Sequence, residues 1–193
     1  MRQGDFSDAH QFTARWEGGL SDHPADRGGL TAYGASLVFV QGIAGTQAGR
    51  DFLQQIGIDL PVTRQRMRRI TFEQARAMFR HEFWDALHLD DLPFRQAALL
   101  YDAAVNSGPA QAVRLSQRGY NQCVTHGVKL AVDGVLGPMT RKALQTDTDA
   151  VIRAIIQARR DFYESLAESR PDQRVFLKGW LNRADALEKL LLA

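Results

Sequence analysis

Three side chains near the start of the chain have the types and spacing for acid/base chemistry. Glu17 is separated from Asp26 by eight residues, and Asp26 from Thr31 by four. Phe6, Ala9, Phe12, Thr13 and Trp16 recur every three or four residues, the apolar face of a helix, with Asp5 or Ser7 as its cap. Gly18-Gly19 ends that helix and leaves Glu17 in its last turn. Helix carbonyl ends carry partial negative charge there, which disfavours a second negative charge and raises the carboxyl's pKa. Packing against Phe12, Trp16 or Tyr33 would raise it further. A carboxyl that stays protonated is what a general acid requires. Asp26 lies in a polar, glycine-rich segment where solvation and backbone N–H donors keep it ionised. Two carboxyls pushed in opposite directions make the acid and base of glycosidic cleavage. Thr31 would hold the attacking water, and Gly28-Gly29 would let the backbone approach a bulky polymer closely. The same residue types also serve as an ordinary helix end and turn, so on their own they leave both readings open.

The elements that must position these groups are mostly helices. Residues 20–36 read as loop and short strand, with Leu30 to Tyr33 the best strand. Residues 37–58, interrupted by Gly42, Gly45, Gly49 and Gly57, read as short helices. Thr71 followed by Gln74 is a capping box, and Phe72, Ala75, Phe79, Phe83 and Ala86 then run down one helical face. Pro93 opens a helix that stops at Asn106-Ser107-Gly108, and Pro109 opens another reaching about Val124. Asp133-Gly134 marks a turn, and Pro138 starts a short helix toward Leu144. A long helix over about 149–168 and a last one from about Arg174 to Leu192 close the chain. With no alternation of strand and helix, the expectation is a mainly α protein with a small β element near residues 28–36.

Composition sets the outer limits. At roughly 150 residues per domain, 193 residues allow one domain or two small ones. The 45% hydrophobic and 24% charged shares are those of an ordinary globular chain. A single cysteine, Cys123, excludes an internal disulfide framework. A net charge of +2 argues against a nucleic-acid partner, and the 20 Arg against 4 Lys read as compositional bias. Apolar runs such as Leu37-Val38-Phe39-Val40 are too short to span a membrane. The first twelve residues lack the apolar stretch of a secretory signal. The expectation is therefore synthesis in the cytoplasm, with any action outside depending on a holin or a dedicated secretion route.

The segments Glu17-Gly18-Gly19-Leu20-Ser21 and Pro24 to Gly34 resemble the active-site signature of glycoside hydrolase family 108, N-acetylmuramidases of phages and bacteria. The likeness continues in Phe83-Trp84 and in Leu99 to Gly108. Asp133 to Thr140 is similar to the family's associated peptidoglycan-binding region, and Arg160 to Tyr163 and Phe176 to Arg183 continue it. Leu20, His23 and Ala35 depart from the family pattern. The resemblance implies a lysozyme-like fold with a catalytic region at 1–92 and a peptidoglycan-binding-like helical region at 93–193, packed into one body. It places the catalytic glutamate on Glu17. By analogy with the glutamate-aspartate-threonine triad of phage lysozymes it makes Asp26 the base and Thr31 its helper. Gly28, Gly29, Tyr33 and Asn106 become substrate contacts. The implied activity is hydrolysis of the β-1,4 bond between N-acetylmuramic acid and N-acetylglucosamine by a monomer that needs no cofactor, as in an endolysin. A lytic transglycosylase, a chitinase-like hydrolase and a non-catalytic wall-binding or secretion-linked protein are the alternatives.

Three other features compete for attention. His81, Asp85 and His88 have a spacing that could share a helix face and hold zinc, but solvated side chains are the simpler reading beside the Phe72/Phe79/Phe83 stripe. Arg64, Arg66, Arg68 and Arg69 form a basic patch that reads as an exposed loop, with attachment to an anionic envelope as the functional option. Cys123 with His126 lacks the third group a nucleophile needs.

Overall fold

Helix α1 runs Phe6–Glu17 and stops where Gly18 takes a φ of +74°, a left-handed conformation suited to glycine. Its N-terminus is capped by Asp5, whose Oδ1 accepts the N–H groups of Ser7 at 2.9 Å and Asp8 at 3.3 Å. In the computed structural model, which describes residues 2–19, 30–126 and 128–193, the chain is mainly α. The one sheet among the described residues has two antiparallel strands, β1 (Thr31–Ala32) and β2 (Ala35–Ser36), in the register Thr31↔Ser36 and Ala32↔Ala35. The mainly α, lysozyme-like class with a small β element is borne out. Two units make up the chain: residues 10–82, and residues 1–9 with 83–193.

In the unit of residues 10–82, α2 (Leu37–Ile43), α3 (Gln47–Gln55), the single turn α4 (Arg64–Met67) and α5 (Phe72–Phe79) follow the hairpin. Each begins on a hydroxyl cap, Ser36, Thr46, Thr63 and Thr71 in turn, so the donors freed at every helix start find an acceptor. The Thr71–Gln74 capping box forms with both of its bonds. Gly42, Gly45, Gly49 and Gly57 do not prevent the short helices; Gly49 is required because a Cβ there would fall 1.9 Å from the Ile43 carbonyl oxygen. The core of this unit is apolar: Leu30, Val40, Leu53, Met67 and Met78 are all buried.

His10 is also buried, its ring 5.9 Å from the Phe72 ring and 5.7 Å from the Phe79 ring. Burial, with the Arg76 charge adding to it, lowers its pKa to about 4. Because that value lies below an unfolded histidine's 6.5, the unfolded chain binds the extra proton between the two. Stability of this unit is therefore expected to fall as the pH drops from 6.5 through 4, by at most about 1.4 kcal/mol per pH unit. Urea midpoints across that range should show the slope in wild type and a flatter profile in His10→Phe.

The other unit is built on α6 (Phe94–Ser107), α7 (Pro109–Cys123), α8 (Pro138–Leu144), α9 (Asp149–Ser169) and α10 (Leu177–Leu191). Residues Gln96 to Ala104 of α6 are buried without interruption, the signature of a helix surrounded by others. Phe6, Trp84 and Tyr101 meet edge to face with centroids 5.6–5.7 Å apart, which anchors the start of α1 in this unit. Asp133 makes the expected turn by accepting the Val135 N–H and the Gln117 side-chain amide, both at 2.8 Å.

Three local readings are corrected. The helix expected to carry Phe72 through Ala86 on one face ends at Phe79 and continues as a wider π turn, Arg80–Asp85. That turn shifts the inward position, so Trp84 is fully buried, Phe83 is half-buried and Ala86 is exposed. The last helix begins at Leu177 rather than Arg174, because Pro171–Phe176 forms a tighter 3₁₀ turn. The basic cluster belongs to the helical turn α4 and its flank rather than to a loop, with Arg66 donating to the Pro61 carbonyl at 2.9 Å.

Candidate active site

Glu17 is the last residue of α1 and is half-buried. What stands against it is the tip of the hairpin. Tyr33 and Gly34 both have positive φ, +50° and +85°, the two-residue turn whose twist matches paired strands. A Cβ built on Gly34 would lie 2.6 Å from Glu17 Cβ, 3.1 Å from its Cγ and 3.1 Å from Phe79 Cζ. Only a glycine lets the turn sit this close to the glutamate. The sequence pattern assigned close approach to a bulky polymer to Gly28-Gly29, which lie outside the described residues; the close approach of Gly34 to Glu17 is a separate feature that it did not reveal.

Tyr33 is a non-glycine residue in the left-handed region, which costs roughly 1–2 kcal/mol, and strain of this kind collects where function needs a side chain aimed. Its ring is 40% exposed and meets the Phe72 ring edge-on at 5.9 Å and 82°. Phe72 is itself 43% exposed, a correction to its place in the core stripe, and Trp16, next to Glu17 in sequence, is 39% exposed. Sequence reasoning placed Tyr33 at the site but missed Phe72 and gave Trp16 only a packing role. The signal it lacked was that residues 16, 33 and 72 leave aromatic surface open within the same unit as Glu17. Flat apolar rings suit the C–H faces of sugar rings while leaving hydroxyls free to bond elsewhere.

Thr31 lies on β1, half-buried and paired across the ladder with Ser36. The structure thus brings Glu17 together with the hairpin that carries Thr31 and Tyr33. Asp26, Gly28 and Gly29, together with Leu20 and His23, lie outside the described residues.

Asn106 belongs to the other unit, where its Oδ1 accepts the Tyr163 hydroxyl at 2.6 Å and the Ser107 hydroxyl at 3.1 Å. The Tyr163 oxygen in turn accepts Arg159 Nε at 2.6 Å. Arg159 Nη1 lies 2.7 Å from Asp102 Oδ2, and Arg183 reaches the same carboxylate through Nε and Nη2 at 2.8–3.1 Å. Burial alone would push the Asp102 carboxyl up, but the two guanidinium groups outweigh it and hold the carboxyl below its usual range. This buried chain of charges, running from α6 through α9 to α10, was not read from the sequence.

The competing features resolve separately. His81 stacks on Phe52 at 4.0 Å and pairs with Glu82 at 2.8 Å. Asp85 ends the π turn, and His88 follows it in a left-handed conformation, so the three are not on one regular helix face. No group of three metal-capable side chains gathers among the described residues. The Cys123 thiol points to the Ala150 carbonyl at 3.5 Å and burial pushes its pKa up, the opposite of an activated nucleophile.

Residues 10–108 match the family model described as glycosyl hydrolase 108, and residues 111–185 match a model described as a predicted peptidoglycan domain. The two matches change over at the Ser107–Pro109 junction between α6 and α7. The chain is similar to a solved structure, SagA of Brucella abortus, at 27% identity and a TM-score of 0.73, covering 97% of this chain and 93% of that one. Comparison with curated proteins finds no match.

Proposed function

This chain belongs to the glycosyl hydrolase 108 family, and from that membership we propose that it cuts the β-1,4 bond between N-acetylmuramic acid and N-acetylglucosamine. It is a glycoside hydrolase acting on peptidoglycan. The observation that supports Glu17 as the acid is the seating of the hairpin tip on its Cβ and Cγ at the end of α1, in a unit that leaves the Trp16, Tyr33 and Phe72 rings exposed. In the proposed reaction Glu17 gives its proton to the leaving glycosidic oxygen, Asp26 takes a proton from the attacking water, and Thr31 holds that water. Inversion at the anomeric carbon follows if the carboxyls stand about 6.5–9.5 Å apart, the separation that admits a water. Tyr33 and Phe72 carry the sugar faces, Gly28 and Gly29 admit the strand, and Asn106 is kept as a glycan contact of the second unit. Catalysis is assigned to residues 1–92 and wall attachment to 93–193. An endolysin-like lysis of cells belongs to the same proposal.

Mass spectrometry of digested sacculi tests the reading. Reducing-end muramic acid is expected, with release slowed by about 100-fold in Asp26→Asn. Anhydro-muramyl ends would mark a transglycosylase that needs no base, and reducing-end glucosamine would place the cut at the other bond. Either product would overturn the proposal.

Gly34→Ala gives a second expected result. Its Cβ must displace Glu17 Cβ, and its φ of +85° is strained for any L side chain. A shift of about 1 Å at a catalytic group can cost 10²-fold in rate. Turnover on purified peptidoglycan should fall by about that factor, checked by release of reducing ends against an unchanged protein concentration.

A further inference from the structure

Helices α7 and α9 cross very closely. A Cβ at Gly119 would lie 2.4 Å from the Ile155 Cα, so the crossing point admits no side chain. Beyond it the two helices border a cleft of about 390 Å³, within the range of small-ligand sites. From α7 it receives Arg118 and Asn121, and from α9 Ala158, Asp161 and Phe162, the latter three at the spacing of one helix face. The loop that follows α7 supplies the third wall with Lys129 and Val132. That wall is pinned: the Leu130 N–H donates to Asn121 Oδ1 at 2.7 Å, and Asn121 Nδ2 donates back to the Leu130 carbonyl at 2.8 Å. All of these residues lie within the stretch that matches the peptidoglycan domain.

The chemistry of the lining is selective. Ala158 and Phe162 offer apolar surface, Arg118 and Lys129 two exposed cations, and Asp161 one exposed anion, which also accepts the Gln157 amide at 2.8 Å. A glycan strand is uncharged along its sugars and leaves those three charges without counterparts. A peptidoglycan stem peptide carries free carboxylates and, on its diamino acid, one amine. We propose that this groove binds the stem peptide of peptidoglycan, Arg118 and Lys129 receiving its carboxylates and Asp161 its amine. The inference rests on the reading that the chain acts on peptidoglycan and adds the part of the polymer that the second unit reads. Because the clamp and the crossing fix the backbone walls before binding, the ordering that opposes it is confined to the exposed side chains.

The test is titration of the whole chain, by calorimetry and NMR, with synthetic N-acetyl-L-Ala–γ-D-Glu–meso-diaminopimelate–D-Ala, whose one amine is that of the diamino acid. The same peptide acetylated on its side-chain amine, and chitotetraose, serve as the other probes. Wild type should bind the tetrapeptide, and Arg118→Gln with Lys129→Gln should weaken it about tenfold, at up to fivefold for each solvent-exposed pair. Acetylation should cost wild type three- to fivefold and cost Asp161→Asn nothing further, which identifies the amine's partner. The three side chains are exposed, so melting curves of the variants should overlay that of wild type. No binding of the tetrapeptide by wild type, equal affinity in the variants, or shifts of the groove resonances by chitotetraose instead would each overturn the proposal. The tetrapeptide contains no glycosidic bond, so this result and the reducing-end analysis of sacculi succeed or fail separately.

Discussion

Glu17→Gln is expected to lower turnover on purified peptidoglycan by about 10³-fold, the middle of the range for loss of a general acid. The amide matches the carboxyl in shape and keeps the Cβ and Cγ atoms on which the Gly34 turn rests. The packing that seats the hairpin therefore survives, while the transferable proton is gone. Glu17→Asp should also be impaired, because one methylene fewer withdraws the carboxyl from the leaving oxygen while the hairpin tip stays in place. Reducing-end release and clearing of wall suspensions read both variants. Full clearing by Glu17→Gln would remove Glu17 from the mechanism altogether.

The largest effect on stability is expected at Asp102. Its carboxylate is 1% exposed and stands between Arg159 and Arg183, themselves 2% and 5% exposed at the side chain. Asp102→Ala would remove the carboxylate that the two buried guanidinium groups share and leave a cavity in its place. Removing one member of such a cluster costs about 3–5 kcal/mol, mostly the penalty of the charges left behind. For a chain of this size that corresponds to a melting temperature lower by roughly 10 °C. Asp102→Asn retains an acceptor and should lose less. A wild-type melting point in Asp102→Ala would mean that the ion cluster contributes nothing to the fold. The cluster also holds Tyr163, and Tyr163 holds Asn106, so the variant should loosen that amide before the unit melts.

Much of this arrangement is legible in the sequence where the deciding interaction is local. Gly18 ending α1, the Thr71–Gln74 box, the Gly108-Pro109 break and the Asp133 turn each depend on residues within a few positions, so type and spacing suffice. Helical periodicity failed past Phe79 because a π turn inserts a residue, and a 3.6-residue pattern cannot register the insertion. Asp102 and Arg183 are 81 residues apart, and nothing in either neighbourhood marks them as buried partners. Their types read as surface charges until the fold brings them together. At the candidate site, the helix end that carries Glu17 is legible in the sequence, whereas the seat of Gly34 against it is not. The importance of Gly34 comes from an atom seventeen residues earlier in the chain, which only the folded hairpin reaches. Phe72 misled for the opposite reason: it sits on the core face by period, yet the first turn of α5 stands clear of cover.

The close crossing at Gly119 has a consequence for how the second unit can change. The spacing of α7 and α9 is set where backbone meets backbone, and the loop is held by the amide of Asn121. The charges that face the cleft take no part in that crossing or that clamp. Arg118, Lys129 and Asp161 can therefore be reversed or exchanged as a set, and the groove re-addressed to a differently charged wall polymer, without rebuilding the frame that displays them.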